Sequence, residues 1–229
     1  MMRVKRLSSE SAWARAVADD FVHLAELMPT DRPVRVCLAG GSTPEPAYRA
    51  LATAISDGTI PFPEGQLPRY TLIVGDERAD AATDSERNET MIRRAFEGPL
   101  EDGLATLVGW HSDPSEALYA MDRELAAFPA DGSPLFDICY LGLGADGHTA
   151  GVFPGSKPPM GGRTLSCRAP ERPFKRLSCS LDTLASAGHT RFLLRSRGKE
   201  MALARLLEHD RELIATRAAA RDTVVFVLG

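Results

Sequence analysis

The sequence predicts an α/β fold with a mostly parallel sheet and helices on both faces. Short apolar runs alternate along the chain with segments of helical periodicity, which is typical of strand–helix–strand units. These runs end at glycine-rich or charged loops, as the buried strands of such sheets do. A length of 229 residues and a hydrophobic content of 44% suit one large core. We therefore expect a single Rossmann-like domain over 1–229.

The strands are predicted at apolar, β-rich runs, which are 34–39, 70–74, 105–108, 136–141, 176–180, 191–194 and 223–228. Helices are predicted where apolar residues recur every three or four positions or where start signals occur, at 9–28, 45–55, 86–96, 113–127 and 198–208. Pro29 is the expected stop of the first helix, and Asp113-Pro-Ser-Glu116 is the expected start of the fourth. The segment 151–173, rich in proline, glycine and arginine, is predicted to be a mobile loop.

The charge and the cysteine content argue against several classes of protein. The net charge is −4 and no basic block stands out, so we expect no nucleic-acid partner. No apolar run approaches the length of a membrane span, and Met1–Glu10 lacks the apolar part of a secretory signal. The four cysteines form no C-x-x-C pair, which favours a reduced, cytoplasmic protein without a metal site. A monomer is expected, although the sequence does not fix the oligomeric state.

Three polar clusters follow predicted strands, at the sheet edge where open α/β folds bind ligands. The first is the run Gly40, Gly41, Ser42 and Thr43. Its glycines let the backbone approach a ligand, and the helix that follows attracts an anion. The run is a candidate phosphate cradle. It fits a tight turn before a capped helix equally well, with Thr43 as N-cap and Pro44 as the first helical residue.

The second cluster is Asp76-Glu-Arg78, three charges directly after an apolar strand. Arg78 has the planar fork that binds phosphate or carboxylate, and Asp76 or Glu77 is placed to orient it. An ion-paired strand end is the alternative. Lys199, which opens a predicted helix after Gly198, is a further point charge for phosphate. A lysine there opposes the helix dipole, which favours a binding role over an ordinary surface position.

The third cluster, from Gly142 to His148, carries the strongest signal. Three glycines surround one aspartate and one histidine. Histidine is the side chain best suited to proton transfer near neutral pH. Asp146 is placed to orient His148 or to contact a substrate. A capped turn with a solvent-facing histidine is the alternative. The cluster predicts an enzyme that acts on a phosphorylated small molecule.

These clusters also carry a family resemblance. The motifs Gly40-Gly-Ser-Thr-Pro44, Asp76-Glu-Arg78, Leu141 to Ala150 with Phe153-Pro-Gly155, and Gly198-Lys199 have the order and spacing found in the 6-phosphogluconolactonase family. The resemblance covers nearly the whole chain, and the glycine–Asp–Gly–His segment is its most specific part. It implies a Rossmann-like sheet, no required cofactor, and hydrolysis of 6-phospho-D-glucono-1,5-lactone to 6-phospho-D-gluconate in the oxidative pentose phosphate pathway.

The resemblance implies roles for individual residues. His148 would be the general base that activates water, and Asp146 would position His148 or the sugar hydroxyls. Backbone N–H groups of the glycine loops would stabilise the oxyanion. The substrate- and phosphate-binding set would be Gly40, Gly41, Ser42, Thr43, Asp76, Arg78, Gly144, Arg176 and Lys199. Arg176 belongs to a stretch similar to the family's proline-x-x-arginine segment before a strand.

The chain departs from the family pattern after Asp-Glu-Arg. The family usually has Val-Pro and then Ser-Asn, whereas this sequence has Asp80-Ala81 and Arg87-Asn88. The asparagine is retained and arginine replaces serine. The shape of this loop and its substrate contacts therefore do not follow from the resemblance.

Three other functions are alternatives. Glucosamine-6-phosphate deaminase/isomerases follow the glycine–Asp–Gly–His segment with Asn-Glu-Pro, whereas 151–155 holds no acid here. Isomerisation shuttles protons at carbon, so the missing glutamate argues against it. A non-catalytic sugar-phosphate sensor would carry a helix-turn-helix, but about 30 residues precede the first predicted strand, which is room for one helix. A partner-binding scaffold would leave the polar strand ends unexplained.

Overall fold

The computed structural model describes residues 2–28, 30–58, 68–81, 83–128, 132–156, 162–168 and 175–229. The described residues form the strands β1 (Arg3–Leu7), β2 (Val34–Leu38), β3 (Tyr70–Val74), β4 (Asp76–Arg78), β5 (Ala105–Val108), β6 (Ile138–Leu141), β7 (Thr164–Arg168), β8 (Lys175–Cys179), β9 (His189–Arg195) and β10 (Asp222–Leu228). Seven of them make a parallel sheet in the order β1-β10-β9-β6-β2-β3-β5. The predicted α/β class is confirmed.

The helices lie between these strands. They are α1 (Glu10–Ala25), α2 (Glu45–Ser56), α3 (Asn88–Ala95), α4 (Glu97–Glu101), α5 (Ala117–Ala126), α6 (Leu181–Ala185), α7 (Glu200–Leu207) and α8 (Ile214–Arg217), with a 3-10 turn at Asp84–Glu86. The side chain of Ser9 caps α1 by accepting from Ala12 N–H, and the apolar stripe of Trp13, Val17 and Phe21 is buried. Across the described part of the chain, no helix is both long and apolar enough to cross a membrane.

The core surrounds the central strands of the parallel sheet. Every residue of β2 and β6 is buried. Because successive side chains of a strand point to opposite faces, this burial means that both faces of the sheet are covered.

Three strands, β1, β4 and β7, lie outside the sequence prediction. β4 is predicted only as a polar cluster that follows a strand. β1 is mostly exposed and rich in charge, so it lacks the apolar run that marks a strand, yet it pairs with β10 at the sheet edge. A strand therefore precedes α1, and the expectation that the first strand follows a helix is wrong. β7 falls within 151–173, so the prediction of a loop is wrong for 164–168. Residues 157–161 and 169–173 of that segment lie outside the described residues.

Two predicted helix starts are also wrong. Pro44 is the N-cap of α2, since its backbone is already helical and its carbonyl accepts from Tyr48 N–H at 2.9 Å; Thr43 does not cap this helix. α5 begins at Ala117 because Asp113 organises a separate turn first. Its carboxylate accepts from Ser115 N–H at 2.8 Å. Pro29, the expected stop of α1, lies outside the described residues.

The strand order places a crevice at the centre of the sheet. From β2 the chain moves outward through β3 to β5, and then returns to β6 on the other side of β2. Ligands of open α/β sheets bind at such a reversal, beyond the carboxyl ends of the strands. A second, antiparallel sheet of order β4-β8-β7 stands at the same edge, because only Gly75 separates β4 from the end of β3.

Candidate active site

A cavity of about 400 Å³ opens where β2, β3, β6 and β9 end. The predicted site residues that line it are Gly40, Gly41, Thr43, Asp76, Arg78, Gly144, His148, Arg176 and Lys199. Ser42 is exposed and Asp146 stands behind His148, and neither lines the cavity. Five segments that are distant in sequence thus meet at the strand-order reversal.

His148 is tied to Asp146 within its own loop. Its Nδ1 lies 2.5 Å from Asp146 Oδ1, which also accepts from His148 backbone N–H at 3.2 Å. Partial burial works against ionisation of Asp146, but the hydrogen bonds and charge of His148 outweigh it and hold the pKa of Asp146 below its usual value. With Nδ1 engaged by a carboxylate, Nε2 is the ring nitrogen left for a ligand.

Glycine is required beneath this pair. A Cβ on Gly144 would lie 1.9 Å from His148 Nδ1 and 2.5 Å from Asp146 Oδ1. The loop closes through Gly144 N–H, which donates to the His148 carbonyl at 2.9 Å, and through Thr149 Oγ1, which donates to the Gly142 carbonyl at 2.7 Å. The imidazole also packs on the ring of Phe153, with 4.7 Å between centroids.

The first glycine loop is shaped by Asn88. A Cβ on Gly40 would lie 1.9 Å from Asn88 Cγ, so only glycine admits the asparagine side chain. Asn88 is buried, lines the cavity, and donates through Nδ2 to the Asp76 carbonyl at 2.7 Å. Asn88 was noted in the sequence only as a family match. Its contact with Gly40 is known only from the fold, because a local sequence pattern does not pair residues that lie 48 positions apart.

The antiparallel pair β4–β8 brings two arginines together. Arg78 and Arg176 are opposite each other in its register, so their side chains share a face of the small sheet. Arg78 Nη1 donates to the Glu86 carbonyl. Arg176 Nη1 lies 3.4 Å from Asp76 Oδ2. Burial raises the pKa of Asp76, while the charges of Arg176, His148 and Arg78 oppose that shift.

Lys199 completes the cationic lining from the end of β9. It is the N-cap of α7 and half-buried, and burial lowers the pKa of its ammonium group. The described lining residues include three positively charged side chains and one carboxylate, which are Arg78, Arg176 and Lys199 against Asp76. The cavity therefore has an excess of positive charge, which suits a phosphate dianion.

Glu77 lies next to the cavity without lining it. Its side chain is fully buried and accepts three backbone N–H groups, from Arg78, Asn88 and Glu89. Burial raises the pKa of Glu77, and these hydrogen bonds oppose the shift. Within the described residues, no group of three or more His, Cys, Asp or Glu side chains is arranged to hold a metal ion.

Comparison with known proteins agrees with this geometry. Residues 8–226 match the model of the family described as glucosamine-6-phosphate isomerases/6-phosphogluconolactonase. The chain belongs to this family. One relative, the 6-phosphogluconolactonase of Synechocystis sp., is 29% identical over 174 residues, which are 73% of this chain and 69% of the relative.

Solved structures of this family show the same fold. The 6-phosphogluconolactonase of Trypanosoma brucei has a TM-score of 0.80 at 21% identity, over 99% of this chain and 96% of that one. A monomeric glucosamine-6-phosphate deaminase has a TM-score of 0.78 at 19% identity, over 99% and 97%. Since proteins named for both activities share the fold, the fold alone does not choose between them.

Proposed function

We propose that the chain hydrolyses 6-phospho-D-glucono-1,5-lactone to 6-phospho-D-gluconate, a step of the oxidative pentose phosphate pathway, and that 1–229 form one hydrolase domain. The observation that carries the proposal is His148, which is oriented through Nδ1 by Asp146 at the wall of a cationic cavity. The 6-phosphogluconolactonases among its relatives support the same activity.

In the proposed mechanism, His148 acts as general base. Its Nε2 takes a proton from a water molecule as the water oxygen attacks the lactone carbonyl. Backbone N–H groups of the glycine loops, such as those near Gly144, stabilise the oxyanion that forms. The ring C–O bond then breaks, the leaving oxygen takes the proton from His148, and the acid product ionises. Asp146 orients the base, because it contacts Nδ1 and does not line the cavity.

The phosphate group is held at the cationic lining. We assign it to Arg78, Arg176 and Lys199, with the backbone of Gly40 and Gly41 and the hydroxyl of Thr43 lining the same space. Ser42 is left out of this set because it is exposed outside the lining. Asp76 aligns Arg176 through their ion pair. Such anchoring of the substrate lowers the entropic cost of reaching the attack geometry.

A reducing compartment and a small-molecule partner fit this function. The four cysteines are free and buried, as in proteins of the cytoplasm. We propose a cytoplasmic monomer that takes a sugar phosphate lactone, without a nucleic-acid partner. Deamination of glucosamine 6-phosphate and non-catalytic binding of a sugar phosphate are the alternatives, and 151–155 lacks the acid expected for the former.

The test follows acid release from freshly prepared 6-phosphogluconolactone against the spontaneous rate. We expect His148→Ala to lower kcat by about 10²–10⁴-fold. His23→Ala removes an exposed histidine at the end of α1 and should leave kcat unchanged. A His148→Ala protein with wild-type turnover rules out the mechanism. Ammonia release from glucosamine 6-phosphate by the wild type, without lactone hydrolysis, overturns the function.

A further inference from the structure

We infer that Glu77, a buried carboxylate behind the cavity wall, is a positioning residue that fixes Arg78 and Asn88 at the phosphate end of the site. The inference rests on the proposed function and adds a residue to it. Glu77 touches no part of the cavity in the described structure, so its effect on a ligand passes through the two residues it holds.

Both oxygens of the Glu77 carboxylate accept hydrogen bonds from backbone N–H groups. Oε1 accepts from Arg78 N–H at 2.7 Å and from Asn88 N–H at 2.8 Å, and Oε2 accepts from Glu89 N–H at 2.9 Å. Asn88 and Glu89 open α3, so the carboxylate also sits at the positive end of that helix. Only an acceptor-only side chain satisfies three N–H groups at once.

These bonds connect three parts of the cavity wall. Arg78 supplies a guanidinium from β4, and Asn88 supplies its amide from the start of α3. Asn88 in turn packs against Gly40 at close range, so the glycine loop takes its position from the same anchor. A shift of the first turn of α3 relative to β4 therefore displaces the arginine and the glycine loop together.

Arg87 balances the buried charge. Its Nη2 lies 3.8 Å from Glu77 Oε2 and 3.6 Å from Glu89 Oε2, and it donates to the Trp110 carbonyl at 3.4 Å. A buried carboxylate is costly unless it is paired and hydrogen-bonded. The departure from the family pattern at position 87 thus supplies a counter-charge for Glu77, beyond the three N–H donors.

The first test is Glu77→Gln, which keeps the shape and removes the charge. Its amide nitrogen would face a backbone N–H, so the start of α3 must shift. We expect KM for the lactone to rise about 10- to 100-fold with kcat within about threefold of wild type, because His148 is untouched. The dissociation constant of inorganic phosphate, measured by calorimetry, should rise in parallel. Glu26→Gln, at an exposed position after α1, is the matched control and should change neither.

A purely structural role gives a different result. If Glu77 only stabilises the fold, Glu77→Gln lowers the melting temperature but leaves KM and the phosphate affinity of the folded protein at wild-type values. That result would overturn the inference. If Glu77→Gln does not fold, Arg87→Ser provides the second variant. It removes the counter-charge and keeps the three N–H bonds, so KM and the phosphate dissociation constant should rise about two- to fivefold, and unchanged values overturn the inference.

A measurement of phosphate binding distinguishes a failure of this inference from a failure of the proposed function. Calorimetry needs no turnover, so a wild type that binds phosphate without hydrolysing the lactone refutes the function and still allows the Glu77 comparison. Equal phosphate affinity in the wild type and in a folded Glu77→Gln protein refutes the positioning role, whatever the wild type hydrolyses.

Discussion

The imidazole of His148 is held by two neighbours and occupies space that a third residue leaves open. Asp146 holds Nδ1, Phe153 covers one face, and Gly144 leaves the space that the His–Asp pair occupies. The sequence indicated the histidine and the aspartate because they stand among glycines. Phe153 belongs to a family motif, but its contact with His148 does not follow from the sequence, since a phenylalanine in a loop carries no signal of what its ring will touch.

The role of Asp146 leads to the first prediction at this scale. Asp146→Asn keeps the size of the side chain but weakens the hold on the Nδ1 tautomer. We expect kcat to fall at least about tenfold, and less than when the imidazole itself is removed. KM should stay near wild type because Asp146 does not line the cavity. Steady-state kinetics measure both, with the exposed Asp57→Asn as control. A rise in KM alone would instead assign Asp146 to the substrate.

The space above Gly144 leads to the second prediction. Gly144→Ala places a methyl group 1.9 Å from the position of His148 Nδ1, so the His–Asp pair must move. A displacement of about 1 Å costs about 10²-fold in rate, and kcat should fall by that order. Gly98→Ala, whose Cβ would lie 3.5 Å from Ser56 Oγ in ordinary contact, should keep wild-type kcat. Equal activity of the two variants would contradict the assigned geometry.

At the scale of elements, the small antiparallel sheet fixes the positions of segments around the cavity. The parallel sheet brings these segments to the same edge but does not bond them to one another. Ser178 of β8 is fully buried, and its Oγ accepts from Gly151 N–H at 3.1 Å. The strand thereby holds the end of the His148 loop while Arg176, two residues earlier, enters the cavity. The register of β8 therefore determines the position of the His148 loop and the position of the Arg176 guanidinium.

Ser178 gives the prediction at this scale. Ser178→Ala leaves Gly151 N–H buried without an acceptor, which costs about 1–3 kcal/mol. The free energy of unfolding in urea should fall by that amount. Ser8→Ala, at an exposed position before α1, should stay within about 0.5 kcal/mol of wild type. A stable Ser178→Ala protein would mean that the Gly151 N–H finds another partner.

The elements also show what the sequence predicts well. β2, β3 and β6 are continuous apolar runs, so their positions and the class of the sheet follow from composition and periodicity. β4 has three residues, all charged, and β7 lies among prolines and glycines. Their pairing with β8 depends on contacts between distant segments, which no local pattern encodes. The sequence therefore predicts which loops meet, but not that Arg78 stands opposite Arg176.

At the scale of the whole molecule, a second charged group lies at the amino ends of β9 and β10, at the edge opposite the cavity. Asp222 accepts from His189 Nδ1 at 2.7 Å and lies 3.1 Å from the fully buried Arg191. Partial burial disfavours the carboxylate, but His189, Arg191 and Arg3 outweigh it and lower the pKa of Asp222 to about 2.

This shift predicts an acid dependence of stability. A carboxyl group whose pKa is lower in the folded state stabilises the protein above its unfolded pKa, 3.8. That contribution is lost as the pH falls from about 3.8 to about 2. In acid titrations followed by circular dichroism, Asp222→Asn should lack this part of the pH dependence. Its lactone hydrolysis at neutral pH should match wild type, and a large loss of activity would contradict the separation of the two edges.

The pairing of β4 with β8 also limits which changes of chain length the molecule tolerates. Side chains alternate between the faces of a strand, so a slip of one residue would pair Arg78 with Leu177 or Lys175 and turn the two guanidinium groups to opposite faces. An insertion in a connecting loop leaves this pairing intact, whereas one extra residue inside either strand would separate the two guanidinium groups that we propose bind the phosphate. This site should therefore tolerate changes of length in the connecting loops better than changes of length inside β4 or β8.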